Sequence, residues 1–180
     1  MTENKINWQP EILENDILKI VPLNESDFDS LFEVASDPLI WEQHPASDRY
    51  KKEVFQLYFD DAISGKISFK IIDKSTNKII GSTRFYDSKP ENSSIAIGFT
   101  FLVRQYWGGL YNKSSKKLLI EYAFKFVDKI YFHIGASNVR SQLATTRIGA
   151  IKVREFDSEQ NGTKTNKFEY LIEKKNWKDT

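Results

Sequence analysis

The chain has 180 residues, with 26 lysines and arginines against 25 carboxylates and a formal net charge of +1. That balance argues against a nucleic-acid binder working by whole-surface electrostatics, and the lack of cysteine excludes disulfides, thiol catalysis and a cysteine-based metal site. Two separated histidines give no metal-ligand cluster, so no metal is expected. The length fits a single domain over residues 1–180 with its own core, and thirteen Phe, eight Tyr and four Trp supply bulk for that core or for a ligand cleft.

Residues 1–15 read as a polar N-terminal arm, with Trp8 and Pro10 available to pack back on the domain. They lack an apolar signal region, and no run in the chain approaches a membrane span. A cytoplasmic protein without a membrane partner is therefore the expectation. Residues 18–23 form a short strand that stops at Asn24-Glu25-Ser26-Asp27, where Asn24 can cap a helix carrying Phe28, Leu31, Phe32 and Ala35. Pro38 closes that helix. After the loop Trp41-Glu42-Gln43-His44-Pro45, the spacing predicts a helix over 49–64 with Val54, Leu57, Tyr58 and Ala62 on one side, ended by Gly65. Residues 67–72 and 78–86 are strands of a hairpin around Asp73-Lys74-Ser75-Thr76-Asn77. A further strand, 94–103, follows Pro90-Glu91-Asn92.

In that strand Ile95, Ile97, Phe99, Phe101 and Val103 point to one side, and Ala96, Gly98 and Thr100 to the other. The small-residue face is where a ligand can approach. The strand runs into Arg104-Gln105-Tyr106-Trp107-Gly108-Gly109-Leu110-Tyr111 and then into an amphipathic helix. Ser115, Leu118, Leu119, Tyr122, Ala123 and Phe126 make its inward stripe, while Lys116, Lys117, Glu121 and Lys125 read as outward. A glycine turn at a helix N-terminus gathers unpaired N–H groups and the positive end of the helix dipole, so a phosphorylated ligand is expected. Lys113, Lys116 and Lys117 oppose the dipole by a few tenths of a kcal/mol each, a penalty that a bound anion reverses. An ordinary strand–helix turn with a solvated lysine face is the alternative on spacing alone.

The remaining elements are a strand over 130–135, a helix after Asn138-Val139-Arg140-Ser141-Gln142, and a hairpin of 151–156 with 167–173 turning at Asn161-Gly162. The order gives an α/β (α+β) fold, a mixed and mostly antiparallel sheet of about seven strands flanked by about four helices.

The segment 105–110 resembles motif A of the GNAT superfamily of acyl-CoA-dependent N-acetyltransferases, Gln/Arg-x-x-Gly-x-Gly/Ala, which wraps the pyrophosphate of coenzyme A. Gln105, Gly108 and Leu110 fall on its three positions, and Trp107-Gly108 is similar to the pair common among N-terminal acetylases of ribosomal proteins. Leu110 departs from the pattern by adding bulk beside the phosphates. Asn138 to Gln142 resembles the family's Asn-x-x-Ser helix start, and Asn138 is also a good N-cap on local grounds. The resemblance covers residues 18–174 and implies a GNAT-like fold, acetyl-CoA as cosubstrate without a metal, and a primary amine acceptor such as a protein N-terminus or a small amine. The implied cofactor contacts are Phe101, Leu102, Val103, Gln105, Trp107, Gly108, Gly109, Leu110, Tyr111, Asn112, Asn138, Ser141 and Gln142. A homodimer stays open because many relatives pair, and no nucleic acid is expected as partner.

Acyl transfer from a thioester needs a neutral amine, a polarised carbonyl and a proton for the leaving thiolate. The tyrosine that many members place on the later helix is replaced by Thr145, a poor acid, which leaves water, another hydroxyl such as Ser141, or no dedicated acid. His44 is the candidate base, with Trp41, Glu42 and His44 at the acceptor side, or His44 is only a loop residue. His133 reads as a structural histidine. A phosphate-binding P-loop and a dinucleotide fingerprint are both absent. The rival from another class is a non-catalytic acyl-CoA-binding or regulatory module on the same fold.

Overall fold

A computed structural model describes residues 6–160 and 163–178. Among these residues the chain forms eight strands and four α-helices in the order β1 (Leu13–Glu14), β2 (Leu18–Pro22), α1 (Phe28–Ala35), α2 (Lys52–Ser64), β3 (Ser68–Asp73), β4 (Lys78–Lys89), β5 (Ser94–Leu102), α3 (Leu110–Ala123), β6 (Lys129–Gly135), α4 (Val139–Thr146), β7 (Ile151–Gln160) and β8 (Thr163–Glu173). The strands make one sheet ordered β1-β2-β3-β4-β5-β6-β8-β7. Every neighbouring pair is antiparallel except β5 and β6, which are parallel. This is the mixed, mostly antiparallel sheet that the sequence predicts, with one extra two-residue strand inside the expected arm. The predicted Asn161-Gly162 turn lies outside the described residues.

Two apolar clusters flank the sheet. One packs Phe69, Ile71, Phe85, Ile95 and Ile97 against Leu119, Ile120 and Ala123 of α3. The other joins Leu31 of α1, Phe55 and Phe59 of α2, Trp41 and Phe101. Trp8 folds back onto Phe85 and Phe126, with ring centroids 5.4 and 5.7 Å away. Each such large side chain contributes about 1.5–3 kcal/mol when fully buried.

Three expectations about helix and strand faces change. On α2 the buried positions are Phe55, Tyr58, Phe59 and Ala62, an i, i+3, i+4, i+7 set, while Leu57 is 71 % exposed. The larger aromatic surface wins the inward position. On α3 the buried positions are Ser115, Lys116, Leu119, Ile120 and Ala123, and Phe126, beyond the helix end, is 42 % exposed. The stripe is rotated by about one residue, which carries Lys116 inward. On β5 the alternation breaks. Ile95 and Ile97 enter the α3-side cluster, whereas Phe99 and Phe101 belong to the α1–α2 side.

Candidate functional site

The break in β5 is a β-bulge. Register runs Ser82 with Phe101 and Arg84 with Gly98, so Thr83 faces both Phe99 and Thr100, and Phe99 takes a left-handed φ of 52°. A bulge bends its strand and re-aims the residues beyond it. The Tyr58 hydroxyl donates to the Phe99 carbonyl at 3.0 Å, and the Arg84 guanidinium sits 3.9 Å from the Phe99 ring centre, so two side chains hold this strained residue.

Beyond the pairs Ser94–Lys129, Ile95–Ile130 and Ala96–Tyr131, β5 and β6 share no further register. The edge of β5 toward β6 is thus without a strand partner from Ile97 to Leu102, and buried backbone groups there require another partner. Val103 does not add to this edge, because its N–H donates to the Ile80 carbonyl at 2.8 Å. The Leu102 carbonyl accepts from the Trp107 indole at 2.8 Å, which folds the adjoining turn back over the strand end.

In that turn Gly108 has φ +69°, a conformation that favours glycine. Gly109, the N-cap of α3, has an ordinary φ of −113°, and a Cβ added there would meet nothing within 4 Å. No neighbour inside the protein demands a glycine at 109, whereas close approach of a ligand would. Leu110, the first residue of α3, is 67 % exposed.

These features open into a cleft of about 700 Å³ between β5, the N-terminal half of α3, α4 and the loop after α1. Of the residues the sequence nominated, Phe101, Leu102, Trp107, Gly108, Gly109, Leu110, Asn112, Asn138, Ser141, Trp41 and His44 line it. Val103, Gln105, Tyr111, Gln142 and Glu42 are not on the wall. Gln105 is exposed on a 3-10 turn. Gln142 uses its amide on the Gly135 and Ala136 carbonyls at 3.3 and 2.9 Å, tying α4 to the end of β6. Asn138 caps α4 by accepting from the Ser141 N–H at 3.1 Å, as its position predicts.

The charge of the wall is one-sided. Lys113, Lys116, Arg140 and Arg147 line the cleft, and among the described residues no Asp or Glu does. Arg140 spans the mouth. Its guanidinium stacks 3.8 Å from the Trp107 ring centre, donates to the Ile40 carbonyl at 2.9 Å and lies 3.5 Å from Glu42, while its backbone N–H donates to the Gln43 side chain at 3.2 Å. Sequence reasoning missed Arg140 and Lys116 as site residues. For Arg140 the available signal was its place two residues after the capping asparagine; for Lys116 the assumed helix face hid it.

On the loop after α1, burial first and then the Arg49 charge pull the pKa of His44 down to about 3. The Ala46 N–H donates to His44 Nδ1 at 2.9 Å, and Nε2 lies 3.3 Å from the Arg49 guanidinium. Neither nitrogen is poised to take a proton. His133, off the cleft wall, meets the Tyr86 hydroxyl at 2.8 Å and Glu169 at 3.0 Å, a satisfied structural histidine as read from sequence. Thr145 is 1 % exposed and also off the wall.

Comparison with known proteins bears on the family and the fold. Residues 18–151 match the profile of the acetyltransferase (GNAT) domain. Similar solved structures include a GCN5-related N-acetyltransferase from Brucella melitensis (20 % identity, 94 % of this chain and 83 % of that one, TM-score 0.77). Others are RimJ of Mycobacterium smegmatis in complex with CoA-disulfide (12 %, 93 % and 90 %, TM-score 0.73) and the ribosomal-protein-S5-alanine acetyltransferase of Vibrio fischeri (17 %, 93 % and 98 %, TM-score 0.67). No curated protein matches the chain. With more than half of its length matched by the domain profile, the chain belongs to the GNAT acetyltransferase family.

Proposed function

We propose that the protein transfers the acetyl group of acetyl-CoA to a primary amine, a protein N-terminus or a small amine, and that the cleft holds the coenzyme. The observation that carries this reading is a cleft walled, among the described residues, by four cations and no carboxylate, running from a glycine turn at a helix N-terminus to the part of β5 that has no strand partner on the β6 side. Backbone N–H groups of Gly108 to Asn112 and the side chain of Lys113 suit a diphosphate. The unpartnered edge of β5 suits the amides of the pantetheine arm, with Asn138 and Ser141 opposite. Trp41 and His44 then stand at the acceptor end, and Glu42, held to Arg140, at its rim.

The environment of His44 favours a positioning or steric role over that of a base, and a neutral amine can be supplied by solvent equilibrium. Thiol release from acetyl-CoA with a panel of amines and N-terminal peptides tests the reading. Release above the hydrolytic background with at least one acceptor class supports transfer; tight coenzyme binding without turnover on any acceptor points to a binding module instead.

A further inference from the structure

We infer that Lys116 is the acid of the reaction, placed under the apex of the strand gap to neutralise and protonate the sulfur that leaves the thioester. This rests on the proposed acetyl transfer and names a residue and a step within it.

Lys116 is 6 % exposed yet lines the cleft. Its Nζ lies 5.2 Å from the centre of the Phe132 ring. Phe132 is the residue directly after Tyr131, the last position of β6 in register with β5. The ammonium therefore stands where the strands part, in the region a pantetheine thiol threaded between them reaches. It does not stand at the phosphates: six residues beyond Leu110 place it about 9 Å further along the helix axis than the glycine turn.

Among the described residues Lys116 has no salt-bridge partner, and a buried ammonium without a counter-ion is costly, kept where a ligand supplies the missing charge. The other charged groups on the cleft wall are Lys113 on the same helix, and Arg140 and Arg147 from α4. The loop after α1 contributes His44, held neutral, and β5 adds no titratable side chain to the wall. Lys117 is turned toward Glu121, 3.8 Å away on α3. Arg140 is engaged at the mouth, and a guanidinium does not release protons. Burial pulls the Lys116 pKa down to about 8, close to that of a thiol at about 8.5. An acid so matched can give its proton to a thiolate and regain it near neutral pH. Of the α4 hydroxyls, that of Thr145 is buried without a hydrogen-bond partner and does not reach the cleft.

In this step the amine nitrogen forms the C–N bond to the thioester carbonyl carbon, the C–S bond breaks, and its electron pair goes to sulfur. Sulfur takes a proton from Nζ of Lys116, giving free thiol and neutral lysine. The extra proton on the new amide nitrogen goes to water, and solvent reprotonates the lysine.

The test compares the full-length wild type with Lys116→Met and Lys116→Arg. Ultraviolet absorbance of the thiolate is followed against pH for free CoA bound to each protein. In the wild type the neighbouring ammonium lowers the thiol pKa by about one unit or more, and in Lys116→Met that shift is lost. Turnover in Lys116→Met falls about 100-fold, with acetyl-CoA affinity within about threefold of wild type, since the thioester sulfur carries no charge. Lys116→Arg keeps the shift of the thiol but not the turnover. Identical thiol titration in wild type and Lys116→Met overturns the inference, and so does a loss of acetyl-CoA affinity as large as the loss of turnover, which would place the lysine on the phosphates. If wild type neither binds CoA nor releases thiol, the acetyl-transfer reading itself fails, a result distinct from these two.

Discussion

The Tyr111 hydroxyl donates to Asp73 at 3.1 Å, linking the first turn of α3 to the β3–β4 hairpin 38 residues away in sequence. Tyr106 donates to the other carboxylate oxygen, also at 3.1 Å, and the two tyrosine rings meet edge to face with centroids 4.6 Å apart. The glycine turn lies between these two tyrosines, so one carboxylate fixes both of its ends. Burial pushes the Asp73 pKa up, but hydrogen bonds from Ser75, Thr76 and Tyr106 outweigh it and hold the group down at about 2.

Asp73→Ala is expected to cost about 2–3 kcal/mol of stability, as loss of a buried charged hydrogen-bond hub does, and to weaken coenzyme binding by loosening the turn. Because the folded pKa lies below the unfolded value of 3.8, this stabilisation is complete above about pH 4 and fades as pH falls toward 2. Denaturant melts of wild type and variant between pH 2 and 6 check it. A gap between the two that is constant across that range refutes the assignment.

Gly109→Val separates ligand approach from folding. The backbone there is one that valine adopts, and its Cβ meets no neighbour within 4 Å, so stability stays within about 0.5 kcal/mol of wild type. Coenzyme affinity is expected to fall at least about tenfold. Gly108→Ala behaves differently: its left-handed φ of 69° costs about 1–2 kcal/mol for any residue with a side chain. Equal stability losses in the two variants would contradict this distinction.

Arg140→Lys removes the planar stack on Trp107 while keeping the charge, and is expected to raise the KM for acetyl-CoA several-fold. Steady-state kinetics would show it; wild-type KM in the lysine variant would reduce Arg140 to a point charge.

His44 gives a second pH signature. Its folded pKa of about 3 lies below the ordinary 6.5, so the unfolded chain binds the proton more readily. Its neutral form supports the fold fully above about pH 6.5, and this support is lost as pH falls from there toward 3. His44→Gln should flatten the stability profile in that window while leaving the acid limb of the rate profile, where a general base would titrate, in place. If that limb disappears with the histidine, His44 is the base after all.

The sequence made the elements and their order legible, because alternation, caps and glycine or proline stops are local signals. Asn138 illustrates this: its cap on Ser141 comes from position alone. The bulge at Phe99 was not legible, since it arises from pairing with Thr83 across the sheet and shifts every later residue of β5 to the opposite face. Nor was the burial of Lys116, because two overlapping stripes on α3 satisfy helical spacing and only the packing of Ile120 against the sheet side selects one. The site was partly visible: Trp107 to Leu110 and Asn112 face the cleft, whereas Val103, Gln105, Tyr111 and Gln142, carried over by resemblance, do not.

The central claim, that the cleft between β5, α3 and α4 holds coenzyme A on a cation-rich wall, is tested most directly by calorimetric titration of the protein with acetyl-CoA at low and high salt. One molecule bound per chain is expected, with affinity falling as salt screens the exposed lysine and arginines. Absence of binding at either salt concentration contradicts the claim.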